Sequence, residues 1–307
     1  MRGGGWVLYR LGWAVVARLP DRVARGLFFL AAEVVWWRRG AGVRQLCANL
    51  GQVAGAAPDS ALVRRLARLG VRSYLRYWRE FFRLSGARPP VTFEGLDRLP
   101  AAGSRRGVIL ALPHSGNWDL AGAALAELGH PVTTVGQRLR PEALYQRFVD
   151  ARAAVGIEVL PVDEPRRTVP ALRRRLAEGG VVCLLADRDV TGAGLPVRLH
   201  GRDTTMPAGP ARLALSTGAA LIPVSLWYSG RGLRVHLHEE IVASGRGQAT
   251  AITQALADVF TDAIRRHPQD WHVMQPVWPP PRPAPSARRS SSGSEAAGPH
   301  PRRSRLR

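Results

Sequence analysis

Residues 107–128 read GVILALPHSGNWDLAGAALAEL, and the fold turns on how that stretch divides. Gly107–Leu112 is a short, unbroken apolar run bounded by Gly and Pro, the pattern of a buried strand. Trp118–Leu128 reads as a helix, and His114 falls between the two. The same alternation continues downstream. Val132–Val135, Ile157–Pro161, Val181–Ala186 and Leu221–Trp227 read as strands, with Leu233–Leu237 as an edge strand. Glu142–Val155, Val169–Glu178, Ala208–Ser216 and Ala249–Arg266 read as helices, the second of them stopped by Gly179-Gly180. Strands alternating with helices at this spacing predict an α/β fold, a central and largely parallel sheet flanked by helices.

Upstream of residue 87 the texture is helical. Two amphipathic helices, Val7–Arg18 and Arg22–Trp37, are predicted with a break near Pro20, followed by Ala41–Asn49 and Ala61–Leu84. Tyr74, Tyr77, Trp78, Phe81 and Phe82 form a stripe along the last of these, which reads as core packing. Arg10, Arg18, Asp21, Arg22, Arg25 and Glu33 interrupt the apolar N-terminal sequence. No charge-free run reaches the roughly 20 residues that a spanning helix needs, and no clean small-residue cleavage site marks a signal peptide. Aromatic and aliphatic residues alternating with Arg suit a helix lying in a membrane interface. The chain therefore divides into a membrane-associating helical region (1–86), an α/β domain (87–278) and a Pro-, Ser- and Arg-rich tail (279–307) expected to be disordered.

The 307 residues carry 44 basic against 23 acidic side chains, a formal charge of +21, and every one of the basic residues is Arg. Such a charge attracts polyanions, either nucleic acid or an anionic membrane face. A nucleic-acid reading requires a recognisable motif or a basic stripe with stacking aromatics. Neither is present, so the expected partner is an anionic membrane surface and not nucleic acid. Cys47 and Cys183 are far apart and lack a C-x-x-C partner, and the histidines show no ligand spacing. No disulfide scaffold, metal site or cofactor is expected, and a reducing compartment fits.

His114 sits where a buried strand ends and a helix begins, the usual edge for active sites in open α/β sheets. The positive end of the helix dipole favours neutral imidazole, the form a general base needs. Asp119 can fold back across the first helical turn to orient a ring nitrogen, and the helix N–H groups could hold an oxyanion. Ser115 as a nucleophile is the rival, but no G-x-S-x-G elbow surrounds it.

The motif HSGNWD at 114–119 resembles that of the glycerolipid and lysophospholipid acyltransferases. More narrowly it is similar to the bacterial lipid A acyltransferases and to their actinobacterial relatives, the phosphatidylinositol mannoside acyltransferases. The likeness includes LYRLGWAVVARLP at 8–20, QRLRPEALYQRF at 137–148, ADRDV at 186–190, MPAGPARLAL at 206–215 and HPQDW at 267–271. The resemblance implies transfer of a palmitoyl-like acyl chain from acyl-CoA, as co-substrate, to a mannose hydroxyl of a phosphatidylinositol mannoside. It implies a peripheral enzyme at the cytoplasmic face of the plasma membrane. His114 would be the base, with Asp119 or Asp187 supporting it. Arg138, Arg152 and Asn117 would contact substrate. The family commonly carries Glu at the Asp187 and Gln137 positions, so this chain has a shorter acid at one and an uncharged side chain at the other. A thioesterase on the same fold, and a non-catalytic basic protein, are the alternatives.

Overall fold

The computed structural model describes residues 3–100, 104–190, 192–242 and 248–279, with side chains from residue 11 onward. Pro20 separates α1 (Gly3–Arg18) from α2 (Asp21–Arg38), as the sequence predicts. After α3 (Ala41–Ala54), α4 (Ala61–Phe81) is capped by Ser60, whose side chain accepts from the Val63 N–H. Strands and helices then alternate: β1 (Val91–Glu94), β2 (Val108–Leu112), α5 (Trp118–Glu127), β3 (Val132–Gly136), α6 (Glu142–Ala153), β4 (Ile157–Pro161), α7 (Pro165–Ala177) and β5 (Val181–Leu185). The order closes with β6 (Leu195–Leu199), β7 (Arg202–Met206), α8 (Gly209–Thr217), β8 (Ala220–Ser229), β9 (Gly232–Leu237) and α9 (Ala249–Arg266).

One sheet runs in the order β1-β9-β8-β2-β5-β3-β4. Its neighbours are parallel apart from β8 and β9, which pair antiparallel. A parallel sheet must be covered on both faces. On one face α3, α4, α7, α8 and α9 share a single cluster with Ile109, Ala111, Val182, Leu184 and Leu221. On the other, Leu120, Ala121 and Leu125 of α5 pack on Leu110, Leu112, Ile222 and Val224. Trp13 of α1 meets Phe81 and Phe148 at ring distances of 5.5 and 5.3 Å and donates to the Phe82 carbonyl at 3.2 Å. The N-terminal helices are thus packed into the body. The aromatic stripe on α4 is core, as its spacing suggests, with Tyr77 and Phe81 buried.

Three details depart from the sequence reading. β9 is no edge strand, because β1 pairs along its outer side from Val91↔Leu233 to Glu94↔His236. The Pro-rich stretch before β1 masked that short strand. The helix expected from Val169 begins at Pro165, where a missing N–H is harmless in the first turn, and it accommodates Pro170 inside. The β6–β7 hairpin was not anticipated; it turns on His200 and Gly201, both at positive φ, a two-residue loop matched to strand twist. The tail expected to be disordered, 279–307, lies outside the described residues except for Pro279.

Candidate active site

The loop between β2 and α5 is shaped by local chemistry together with close packing against β8 and β9. All five residues of β2 are buried, so the chain leaves the sheet centre at Pro113-His114. Gly116 has φ of +59°, and a Cβ there would stand 3.1 Å from Leu226 Cβ and from Leu233 Cδ1. Only glycine suits both demands. Asn117 then caps α5, its side-chain oxygen accepting from the Leu120 N–H at 2.9 Å.

The segment 267–272 clamps this loop from outside. Gly116 N–H donates to the Asp270 carbonyl at 2.9 Å, His272 N–H donates to the His114 carbonyl at 2.8 Å, and Ser115 bridges antiparallel to Trp271. The Asp270 carboxylate in turn accepts from the Ser73 hydroxyl (2.6 Å) and the Tyr228 N–H (3.0 Å). Helix α4, strand β8 and the C-terminal segment therefore fix the loop together.

At the centre, β5 runs beside β2, and the Ala186 N–H donates to the Leu112 carbonyl at 2.9 Å. That pairing sets Asp187 against His114. Asp187 Oδ1 lies 2.5 Å from His114 Nδ1, while Oδ2 accepts from the His114 N–H (3.0 Å) and from Trp271 Nε1–H (2.7 Å). Burial alone would raise the Asp187 carboxyl, but the His114 charge and these hydrogen bonds hold it below the usual carboxylate range. An ionised carboxylate only accepts, so the proton sits on Nδ1 and Nε2 is the nitrogen open to substrate. Asp187 is wholly buried and the His114 side chain is 23% exposed, which gives the imidazole one anchored edge and one accessible edge. The shorter acid at Asp187 still makes the contact.

Asp119 lies elsewhere. Arg152 donates to it through Nε (2.6 Å) and a terminal nitrogen (3.0 Å), and the Tyr77 hydroxyl donates at 2.8 Å. None of its hydrogen bonds goes to His114 among the described residues. Burial would depress the Arg152 guanidinium, but the paired Asp119 raises it above its ordinary value. The Arg152 fork is thereby engaged in tying α6 to α5, and its guanidinium carbon lies 4.8 Å over the Phe81 ring. Asn117 is buried, with its amide nitrogen donating to Glu80 Oε2 at 3.0 Å. Arg138 is on the surface, donating to Glu164 at 3.0 Å near the start of α6. The structure therefore joins His114 with Asp187 and Asp119 with Arg152, and it leaves Arg138 apart from both pairs. The His114, Ser115 and Gly116 amides are engaged within the protein, and of the α5 N–H groups expected to hold an oxyanion, that of Leu120 is taken by the Asn117 side chain.

Sequence reasoning passed over Trp271, His272, Tyr77 and Glu80 as contributors. Trp271 ends the quoted HPQDW run and His272 follows it, and Glu80 was legible as a carboxylate inside an aromatic stripe. What no pattern carried was which side chain each would meet.

The chain is similar to known proteins along nearly all of its described length. A family model described as bacterial lipid A biosynthesis acyltransferase matches residues 2–279. A phosphatidylinositol mannoside acyltransferase of Mycolicibacterium smegmatis is 44% identical over 277 residues, covering 88% of this chain and 90% of the relative. One of Mycobacterium tuberculosis H37Rv, with the same name, is 43% identical over 283 residues, covering 88% and 87%. With an imidazole fixed by a buried carboxylate at a strand–helix junction, and that likeness across the fold, the chain belongs to the bacterial lipid A biosynthesis acyltransferase family.

Proposed function

We propose that this acyltransferase moves a fatty acyl chain from acyl-CoA to a mannose hydroxyl of a phosphatidylinositol mannoside, working peripherally at the cytoplasmic face of the plasma membrane. The observation that carries the reading is His114, held through Nδ1 by ionised Asp187 with Nε2 left open. Nε2 takes the proton of the attacking hydroxyl as its oxygen bonds to the thioester carbonyl carbon. The tetrahedral intermediate collapses, the C–S bond breaks, and the proton passes from Nε2 to the departing thiolate. Asp187 steadies the transient imidazolium, and Trp271 keeps Asp187 in place. No acyl-enzyme is required, because a thioester is already activated.

One further feature supports a lipid substrate presented at a membrane. On α2, Val23, Leu27, Leu30, Val34 and Trp37 recur at spacings of four and three on one face, and all are exposed, Trp37 by 81%. No helix among the described residues is long and apolar enough to cross a membrane, but an apolar ridge bordered by Arg22 and Arg38 suits an interfacial helix.

Mass spectrometry of lipid products tests the substrates. Wild-type protein given palmitoyl-CoA and phosphatidylinositol mannoside in vesicles should yield a lipid heavier by one palmitoyl group, esterified on mannose. Acylation on inositol or glycerol, or free palmitate alone, would overturn the assignment.

A further inference from the structure

Between α2, α4 and the β8–β9 turn lies a depression of about 260 Å³ that the acyl-transfer chemistry does not use. Arg25, Arg72, Arg76, Arg79 and Arg231 line it together with Phe28 and Phe29. Three carboxylates answer these five cations. Asp21 pairs with Arg25 and, at 3.6 Å, with Arg79; Glu33 pairs with Arg72 and Arg68; Glu80 pairs with Arg76 and Arg79. The balance stays positive. Arg25 Nε is buried with no hydrogen-bond partner among the described residues. The Arg231 side chain likewise has none recorded there, whereas its carbonyl accepts from Arg76 at 2.7 Å. The Arg79 side chain is only 9% exposed, a charge largely withdrawn from water.

We infer that this depression binds the phosphate of an anionic lipid headgroup at the membrane surface. Guanidinium forks are the side chains best matched to phosphate oxygens. A free inorganic anion would be served by cations alone, but one wall here is aromatic. Arg72 lies 4.7 Å over the half-exposed Phe29 ring, so cationic and apolar surface meet as they do in a lipid at its glycerol. The depression lies where α2 faces α4: Arg25, Phe28 and Phe29 fall on the side of α2 turned away from the exposed apolar ridge. The site is also one side chain from the catalytic loop, since Glu80 bonds Arg76 and Arg79 through one oxygen and the Asn117 cap through the other.

The inference rests on the membrane reading above, and one binding experiment separates the two. Full-length protein is titrated with phosphatidylcholine vesicles doped with phosphatidylinositol, as wild type, as Arg25→Gln/Arg231→Gln, and as Arg173→Gln/Arg174→Gln on α7, which removes equal charge away from the depression. Loss of Arg25 leaves Asp21 paired with Arg79, and a thermal melt verifies folding of each variant. Wild type should bind, the pocket variant about tenfold more weakly, and the α7 variant within about twofold of wild type, with millimolar inorganic phosphate displacing nothing. Equal loss in both variants would reduce the effect to general charge and overturn the site. Unchanged binding by the pocket variant would do the same while leaving membrane docking intact, and displacement by inorganic phosphate would make it a free-anion site instead. Failure of wild type to bind at all would overturn both readings.

Discussion

At the residue scale the arrangement rests on Asp187, which meets three donors with two oxygens. Asp187→Asn keeps the volume but removes the charge that fixes the His114 tautomer, and kcat should fall by about 10²–10⁴-fold. Steady-state CoA release measures it; activity within a few-fold of wild type would show that the imidazole needs no carboxylate. Trp271→Phe should lower kcat with KM little changed, and the lost donor to a buried carboxylate should cost about 1–3 kcal/mol in a denaturant melt. Lengthening the acid tests the fit from the other side. Oδ1 already lies 2.5 Å from Nδ1, so Asp187→Glu overpacks the site and should destabilise by about 1–3 kcal/mol. The choice between Asp119 and Asp187 was not legible in the sequence, because each follows a segment that reads as a buried strand. It was decided by β5 lying next to β2, a long-range pairing that no local pattern encodes.

At the scale of elements, α5 is the piece on which catalysis and packing meet. Its first turn holds the Asp119–Arg152 pair, buried against Tyr77. Removing one partner of such a pair leaves an uncompensated charge, so Arg152→Met should destabilise by about 3–5 kcal/mol. A denaturant melt would reveal it, and a change below about 1 kcal/mol would show that Arg152 serves substrate more than structure. The helices and strands themselves were largely legible. β2, β4 and α9 are bounded by Gly, Pro or sharp changes of texture, and their observed limits fall within a residue of the reading. β1 and the β6–β7 hairpin were not, since β1 is only four residues long and directly follows Pro89-Pro90, and β6 and β7 are five-residue strands interrupted by Pro, Arg and Asp. Glu80 and Trp271 were lost because their roles depend on partners 37 and 84 positions away.

At the scale of the whole molecule, two buried histidines and one half-buried histidine tie stability to pH. Burial pushes His200 and His238 down to about 4 and His272 to about 3, each from an ordinary 6.5. The folded protein keeps them neutral where the unfolded chain protonates them, so the unfolded state binds more protons. Their contribution is fully present above about pH 6.5 and is lost as pH falls toward 4 and then 3. Melting temperature should therefore drop steadily between pH 6.5 and 4, and a flat profile would contradict the burial of these rings. The same burial of loop, helix and sheet leaves only one edge of His114 open, and everything functional converges on it. The most direct measurement is CoA release from palmitoyl-CoA by wild type and His114→Ala, with and without membrane-presented phosphatidylinositol mannoside. Release that requires the acceptor and disappears in His114→Ala is the expected result. Release by wild type that ignores the acceptor, or that survives in His114→Ala, would contradict a His114-driven transfer.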